Sequence, residues 1–456
     1  MTAVWYLLGV LAMVVGISVS IALHEIGHLV PAKRFGVKCS QYMIGFGPTL
    51  WSTRRGETEY GFKAVPLGGY VRMLGMFPPR IRGELEPKAR SGRFATMIED
   101  ARAESLAEIE PGDEHRAFYR LSTPKKIVVM LGGPVMNLLL ATLIFAFLVP
   151  MNGAAAPVDG AVVGSVSQCV RPVSAEPTAG QKPCTAADTP SPAAVAGLRP
   201  GDEFVTIAGE KVTSPADVGR IVRTRADQAL PVVVERDGQR VDLTLTPIAN
   251  EMPQVDAKGR PVTDASGAAK TVTAGFIGTS TGSPMREYDS LADVPAFVWY
   301  VTERTGRVVL TLPQRLVDVW QAAFGTEERD AEGPMSVVGV GRVAGEMSSD
   351  QMVDRTGSPI TLSLGEKVAS LWTLIAGLNI ALFVFNLIPL LPLDGGHVAG
   401  ALWEAIKRGV ARLAHRPDPG YVDVAKALPL TYAMSIVLIG MSVLLIYADL
   451  VKPVRL

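Results

Sequence analysis

Four stretches of 20 residues or more contain no Asp, Glu, Lys or Arg: 4–23, 127–151, 368–393 and 427–448. As helices rising about 1.5 Å per residue, each is long enough to cross roughly 30 Å of hydrocarbon. In lipid the backbone must satisfy its own hydrogen bonds, so such stretches fold as helices. The composition agrees, with 19% charged and 48% apolar residues. The 44 basic and 44 acidic residues cancel, which gives no overall pull toward nucleic acid. The first stretch does not read as a signal peptide. It has no basic leading region and no obvious small-residue cleavage site, and its apolar run is too long.

Four spans place both termini on one side of the membrane. The 33–126 loop holds 17 Lys and Arg, including Lys33, Arg34 and Lys38 beside the first span and Arg120, Lys125 and Lys126 beside the second. The 394–426 loop adds Lys407, Arg408, Arg412, Arg416 and Lys426. The positive-inside rule assigns these loops to the cytoplasm, which leaves 152–367 extracytoplasmic. Cys169 and Cys184 lie in that segment, where a disulfide can persist. A bridge closing so short a loop contributes about 3 kcal/mol in the chain-entropy model. The alternative is two free thiols.

The first charge-free run ends in His24-Glu25-Ile26-Gly27-His28, an H-E-x-x-H pattern. On a helix, residues four apart share a face, so both imidazoles can reach one ion. Glu25 is then placed to take a proton from water at a zinc centre. Soluble proteins carry this pattern idly at some rate, but ionisable groups at a span are costly and point to function. The bland reading is three polar side chains reaching for the membrane edge. A catalytic zinc wants a third protein ligand, and the candidate is Asp394, in Asn386-Leu-Ile-Pro389-Leu-Leu-Pro392-Leu-Asp394-Gly395-Gly396-His397. Spans one and three both run inward, so His24 and Asp394 come to a similar depth near the cytoplasmic leaflet. Asp394 could instead be a turn residue before two glycines. His397 is a rival ligand, ranked lower because a histidine pair is usefully completed by a carboxylate.

These residues resemble the site-2 protease family of intramembrane zinc proteases, most closely the bacterial branch that cleaves anti-sigma factors. The likeness spans nearly the whole chain. It implies that His24, His28 and Asp394 bind one Zn2+, that Glu25 is the general base, and that Asn386 and Pro389 help hold the substrate. Gly132-Gly133-Pro134-Val135-Met136-Asn137 looks like a second family signature. Its small residues permit close helix approach. Asn137 is read either as bonding a substrate or neighbouring backbone, or as ordinary interhelical glue.

Alternation in Tyr60-Gly61-Phe62-Lys63-Ala64-Val65, between Gly45–Pro48 and Pro66–Met73, indicates β structure over about 40–75. The family has a membrane-associated sheet here, which implies a strand edge near Gly69 able to hold an unwound substrate; the alternative is an ordinary cytoplasmic hairpin. The segment 78–117 reads as mobile or locally helical. Short strands and turns from Pro192 to Leu245 resemble one PDZ domain over 158–284, with 168–191 as an insertion. Residues 285–365 carry a juxtamembrane amphipathic pattern kinked at Pro313.

The expected fold is therefore an α-helical membrane protein with four transmembrane helices (1–33, 124–151, 366–394 and 427–449). A membrane-associated β-sheet lies in the 34–123 loop, an extracytoplasmic α+β PDZ domain is inserted, and a cytoplasmic loop covers 395–426. The resemblance implies a bacterial inner-membrane endopeptidase that cuts single-pass membrane proteins, such as anti-sigma factors or remnant signal peptides, with lipid as its other partner and no nucleic acid. Two other classes compete. A PDZ-bearing scaffold with a relic motif would lack a ligand or the base. A metal transporter would carry more acids or histidines along its spans.

Overall fold

The first charge-free stretch lies within a 33-residue helix whose last turn carries Lys33 and Arg34. It ends before Gly36, at φ +85°, where a residue without Cβ turns the chain. The structure, a computed structural model, describes residues 2–79, 93–170, 184–185, 188–254, 262, 270–325, 329, 333–352 and 360–454.

In chain order the elements begin with α1 (Thr2–Arg34), β1 (Cys39–Arg55), β2 (Thr58–Met73), α2 (Arg93–Ala107) and α3 (Thr123–Asn152). There follow β3 (Ala154–Pro157), β4 (Val162–Val166), α4 (Pro192–Ala196), β5 (Glu203–Ile207), β6 (Glu210–Lys211), α5 (Pro215–Arg223), β7 (Leu230–Arg236) and β8 (Gln239–Leu245). Next come β9 (Ile248–Pro253), β10 (Thr271–Phe276), β11 (Thr279–Gly282) and β12 (Met285–Tyr288). The chain closes with α6 (Val294–Leu310), α7 (Leu312–Phe324), α8 (Val337–Ser348), α9 (Leu364–Asn386), α10 (Asp394–Leu413) and α11 (Leu428–Val451). Four helical stretches are long and apolar enough to cross a membrane: Thr2–Arg34, Thr123–Asn152, Leu364–Asn386 and Val424–Val451. The protein is a membrane protein that also carries β-sheet.

Two compact units form, one of Met1–Gly153 with Asp289–Leu456 and one of Ala154–Tyr288. In the first, α3 packs against α1, α6, α9 and α10. The backbones of α1 and α3 touch: a Cβ on Gly27 would stand 2.2 Å from the Gly132 carbonyl, and one on Gly132 1.9 Å from that of Gly27. Only glycine on both sides allows this approach. The β1–β2 hairpin folds back on itself, so that residues 41–44 pair with both 69–72 and 59–62. Leu29 and Val129 meet Val37, Tyr42 and Phe118 in one buried cluster under the hairpin. The Tyr42 hydroxyl donates to the Ala22 carbonyl at 2.9 Å, which ties the hairpin to the turn of α1 that precedes the histidines.

The third apolar stretch departs from the expected single helix over 366–394. A capping box of Ser363 and Glu366 starts α9, and the helix stops at Asn386. Pro389 and Pro392 each lack an amide hydrogen and cannot continue it. A turn follows, and Asp394 opens α10. A Cβ on Gly395 would come within 2.3 Å of the Ile388 carbonyl, so this turn needs glycine. The 395–426 region, expected as a loop, is thus largely the 20-residue α10. The amphipathic pattern near Pro313 becomes two helices, α6 and α7, parted at Thr311. Of the 78–117 segment, 93–107 is helical and 80–92 lies outside the described residues.

The second unit has a six-stranded sheet in the order β11-β4-β5-β7-β8, with β6 on β5. Phe204, Ile207, Ile221, Val232, Val234 and Leu245 form its buried core. The β3–β12 pair extends the unit beyond the expected 158–284. Asp202 is buried and accepts from Arg236 Nε at 2.6 Å, Arg236 Nη2 at 2.7 Å and the Arg199 amide at 2.8 Å. Burial opposes its ionisation, but these donors outweigh burial and hold the carboxyl below its ordinary range. A disulfide joins Cys169 to Cys184. Most of the 168–191 segment lies outside the described residues.

Candidate metal centre

His24 and His28 lie one turn apart on α1, and their Nε2 atoms are 3.2 Å from each other. The first residue of α10 completes the group. Asp394 Oδ2 stands 3.4 Å from His24 Nε2 and 3.3 Å from His28 Nε2. Among the described residues, this is the one group of three or more His, Cys, Asp or Glu donors close enough to share an ion. Asp394 Oδ2 is buried and takes no hydrogen bond. A buried anionic oxygen without a partner is costly. Two ligand atoms about 2.0–2.1 Å from a tetrahedral zinc stand about 3.3 Å apart. All three separations match that spacing, so the donor set fits one tetrahedral cation with a corner left open.

α3 contributes no ligand but supports both histidines. His28 Nδ1 donates to the Val129 carbonyl at 2.8 Å, which leaves the Nε2 lone pair facing Asp394. The Asn137 side chain is fully buried, with its amide 3.1 Å from His24 Nδ1. Its Nδ2 faces the ring, while its Oδ1 is buried without a partner. Turned over, the amide gives that oxygen a donor in His24 Nδ1–H and frees the Nε2 lone pair. A Cβ on Gly133 would fall 2.3 Å from His28 Nε2 and 2.7 Å from His24 Cε1, so α3 must present glycine to the imidazoles.

Glu25 is buried beside the pair, 9% exposed. Gly69 of β2 packs against it, where a Cβ would meet Glu25 Cγ at 3.0 Å. Among the described residues, the 69–72 run pairs with β1 on one side only, so a free strand edge starts next to Glu25. Asn386 is half-buried at the end of α9, and Pro389 is exposed in the turn that follows. Neither joins the donor group, nor does His397, the rival ligand. The free thiol of Cys39 is buried, which pushes its pKa up to about 11 and makes it a poor nucleophile.

Two contacts escape a reading of motifs. The Val129 carbonyl is backbone and has no sequence signature. Buried Lys126 of α3 meets Glu404 of α10 at 3.0 and 3.1 Å, which ties the helix of Asp394 to the helix that supports the histidines. Its signal is faint: a carboxylate ten residues beyond Asp394, amid basic residues.

The sequence model of peptidase family M50 matches residues 12–416. The zinc metalloprotease Rip1 of Mycobacterium tuberculosis is 33% identical, over 99% of this chain and 99% of that protein. Rip1 of Mycolicibacterium smegmatis is 32% identical over 98% of each. A putative zinc metalloprotease of Brucella suis is 30% identical over 86% of this chain and 84% of its own. With a family model covering most of its length and full-length relatives above 30% identity, the chain belongs to peptidase family M50, the site-2 protease family.

Proposed function

We propose that this zinc metalloprotease is an intramembrane endopeptidase that holds one Zn2+ between His24 Nε2, His28 Nε2 and the Asp394 carboxylate, with Glu25 as general base. The carrying observation is the mutual 3.2–3.4 Å spacing of those three atoms around an orphaned carboxylate oxygen. When bound there, zinc acts as a Lewis acid toward a peptide carbonyl and makes water acidic enough to lose a proton near neutral pH. Glu25 accepts that proton at its carboxylate and returns it to the leaving amine. The packed α1–α3 seam beside the donors limits bulk water, which strengthens each electrostatic contact.

The substrates are single-pass membrane proteins, cut within the bilayer near the cytoplasmic leaflet of a bacterial inner membrane. A helix hides its amides in its own hydrogen bonds, so it must be unwound before attack. The free edge at Gly69–Met73 is placed to add the extended segment as a strand, with Asn386 and Pro389 on the approach from α9. Asn137 serves His24 in this account rather than substrate. The Ala154–Tyr288 unit is the PDZ domain, extracytoplasmic and stapled by Cys169–Cys184, and it admits substrates already shortened outside. Glu25→Gln in reconstituted vesicles should lower cleavage of a single-pass substrate about 100-fold or more while zinc and fold are retained. Undiminished turnover would refute the role of Glu25.

A further inference from the structure

α10 has two unlike faces. On one, Ala401, Glu404 and Ala411 are buried, and Glu404 is pinned to Lys126 of α3. On the other, Leu402, Trp403, Ile406, Val410 and Leu413 recur at the spacing of a single helical stripe. They are 49, 55, 55, 60 and 83% exposed. The helix is no span, because Glu404, Lys407, Arg408 and Arg412 interrupt it. Its direction is set by two contacts: Asp394 meets the histidines beside Gly133, whereas Glu404 meets Lys126 in the first turn of α3. The stripe therefore descends from the site toward the basic end of α3. Arg408 is tied to Glu404 and Asp418. Lys407, Arg412 and Arg416 are exposed and make no ion pair with a described residue.

We propose that α10 is an interfacial helix that seats its Leu402–Leu413 stripe in the acyl–headgroup boundary of an anionic leaflet, with Lys407, Arg412 and Arg416 on the phospholipid headgroups. The proposal rests on the reading of the chain as a membrane-embedded peptidase whose site lies near the cytoplasmic leaflet. An apolar stripe bearing a tryptophan and flanked by cations unpaired among the described residues has the chemistry of that boundary. A second copy of the chain would present the same cations and gain nothing from them. Each basic residue near an anionic surface adds about a fivefold preference for it. Because Asp394 is the first residue of α10, lipid on one face and Lys126 on the other together hold the ligand in place.

The test uses the full-length Ile406→Cys protein labelled with an environment-sensitive fluorophore. The native cysteines are buried or disulfide-bonded, so position 406 is the reactive thiol. The protein is reconstituted in phosphatidylcholine vesicles with or without phosphatidylglycerol. Doxyl-labelled lipid should quench the probe and aqueous iodide should not. Phosphatidylglycerol should increase the lipid quenching, and Lys407→Glu/Arg412→Glu/Arg416→Glu should remove the increase. Iodide quenching in both vesicle types would overturn the proposal, as would a probe shielded from both quenchers with crosslinking between copies. Lipid quenching indifferent to phosphatidylglycerol would overturn the headgroup contact. The readout needs neither zinc nor turnover, so a seated α10 in a protein that binds no zinc would contradict the peptidase reading and leave this one standing.

Discussion

At the scale of single residues, α3 shapes the donor group without belonging to it. Gly133→Ala would drive a methyl group to within 2.3 Å of His28 Nε2. The His28 ring is held by its Nδ1 bond to the Val129 carbonyl and would have to leave its place to make room. The expected outcome is loss of zinc from a protein that still inserts, read as metal content against helical circular dichroism. Asn137→Leu keeps the branched heavy-atom outline of the side chain and removes the partner of His24 Nδ1. Losing such a supporting hydrogen bond typically costs about 10- to 100-fold in metal affinity, measurable by chelator competition. Wild-type affinity in this variant would return Asn137 to the role of interhelical glue. The motif His24-Glu25-Ile26-Gly27-His28 and Asp394 were legible because metal chemistry restricts residue type and helical periodicity restricts spacing. The Val129 carbonyl was not, since every residue has one. Asn137 stood out by type, but its partner depends on how α1 and α3 are rotated against each other.

At the scale of elements, the buried Lys126–Glu404 pair joins α3 to α10. Removing Glu404 strands the buried Lys126 charge, and breaking such a pair costs about 3–5 kcal/mol, whereas removing Lys126 leaves Glu404 its Arg408 partner at 3.0 Å. Glu404→Leu alone should therefore lower the unfolding midpoint in detergent strongly and Lys126→Met less, and the double variant should recover most of the Glu404→Leu loss. Equal damage in all three would contradict the pairing. In the second unit, Asp202→Asn should cost about 2 kcal/mol at neutral pH, the usual scale for a hydrogen bond to a charged group. The folded-state pKa of Asp202 lies below its unfolded value, so its stabilisation is complete above the ordinary carboxylate range. It fades as pH falls through the lower, folded value. The gap between wild type and Asp202→Asn should close in acid, as followed by thermal unfolding across pH 2–6. The apolar runs revealed the spans, because charge is excluded from hydrocarbon whatever the packing. They did not reveal where span three stops. The run 368–393 is charge-free throughout, and the break after Asn386 rests on two prolines and on glycines pressed against backbone.

At the scale of the molecule, function depends on which side of the membrane each unit faces. α1 and the start of α10 meet at the donor group, and the Ala154–Tyr288 unit is inserted between α3 and α6. If that unit is extracytoplasmic, Gln239→Cys should react with a membrane-impermeant maleimide on intact cells, and Pro417→Cys only after lysis. Both positions are exposed. The opposite pattern would invert the orientation drawn from the basic loops. The most direct test of the central claim is zinc per purified chain after dialysis against a chelator. Wild type and Glu25→Gln should each retain about one zinc, as a three-ligand catalytic site does. His24→Ala, His28→Ala and Asp394→Ala should each fall close to zero. A full complement of zinc in Asp394→Ala, with proteolysis intact, would contradict the centre described here.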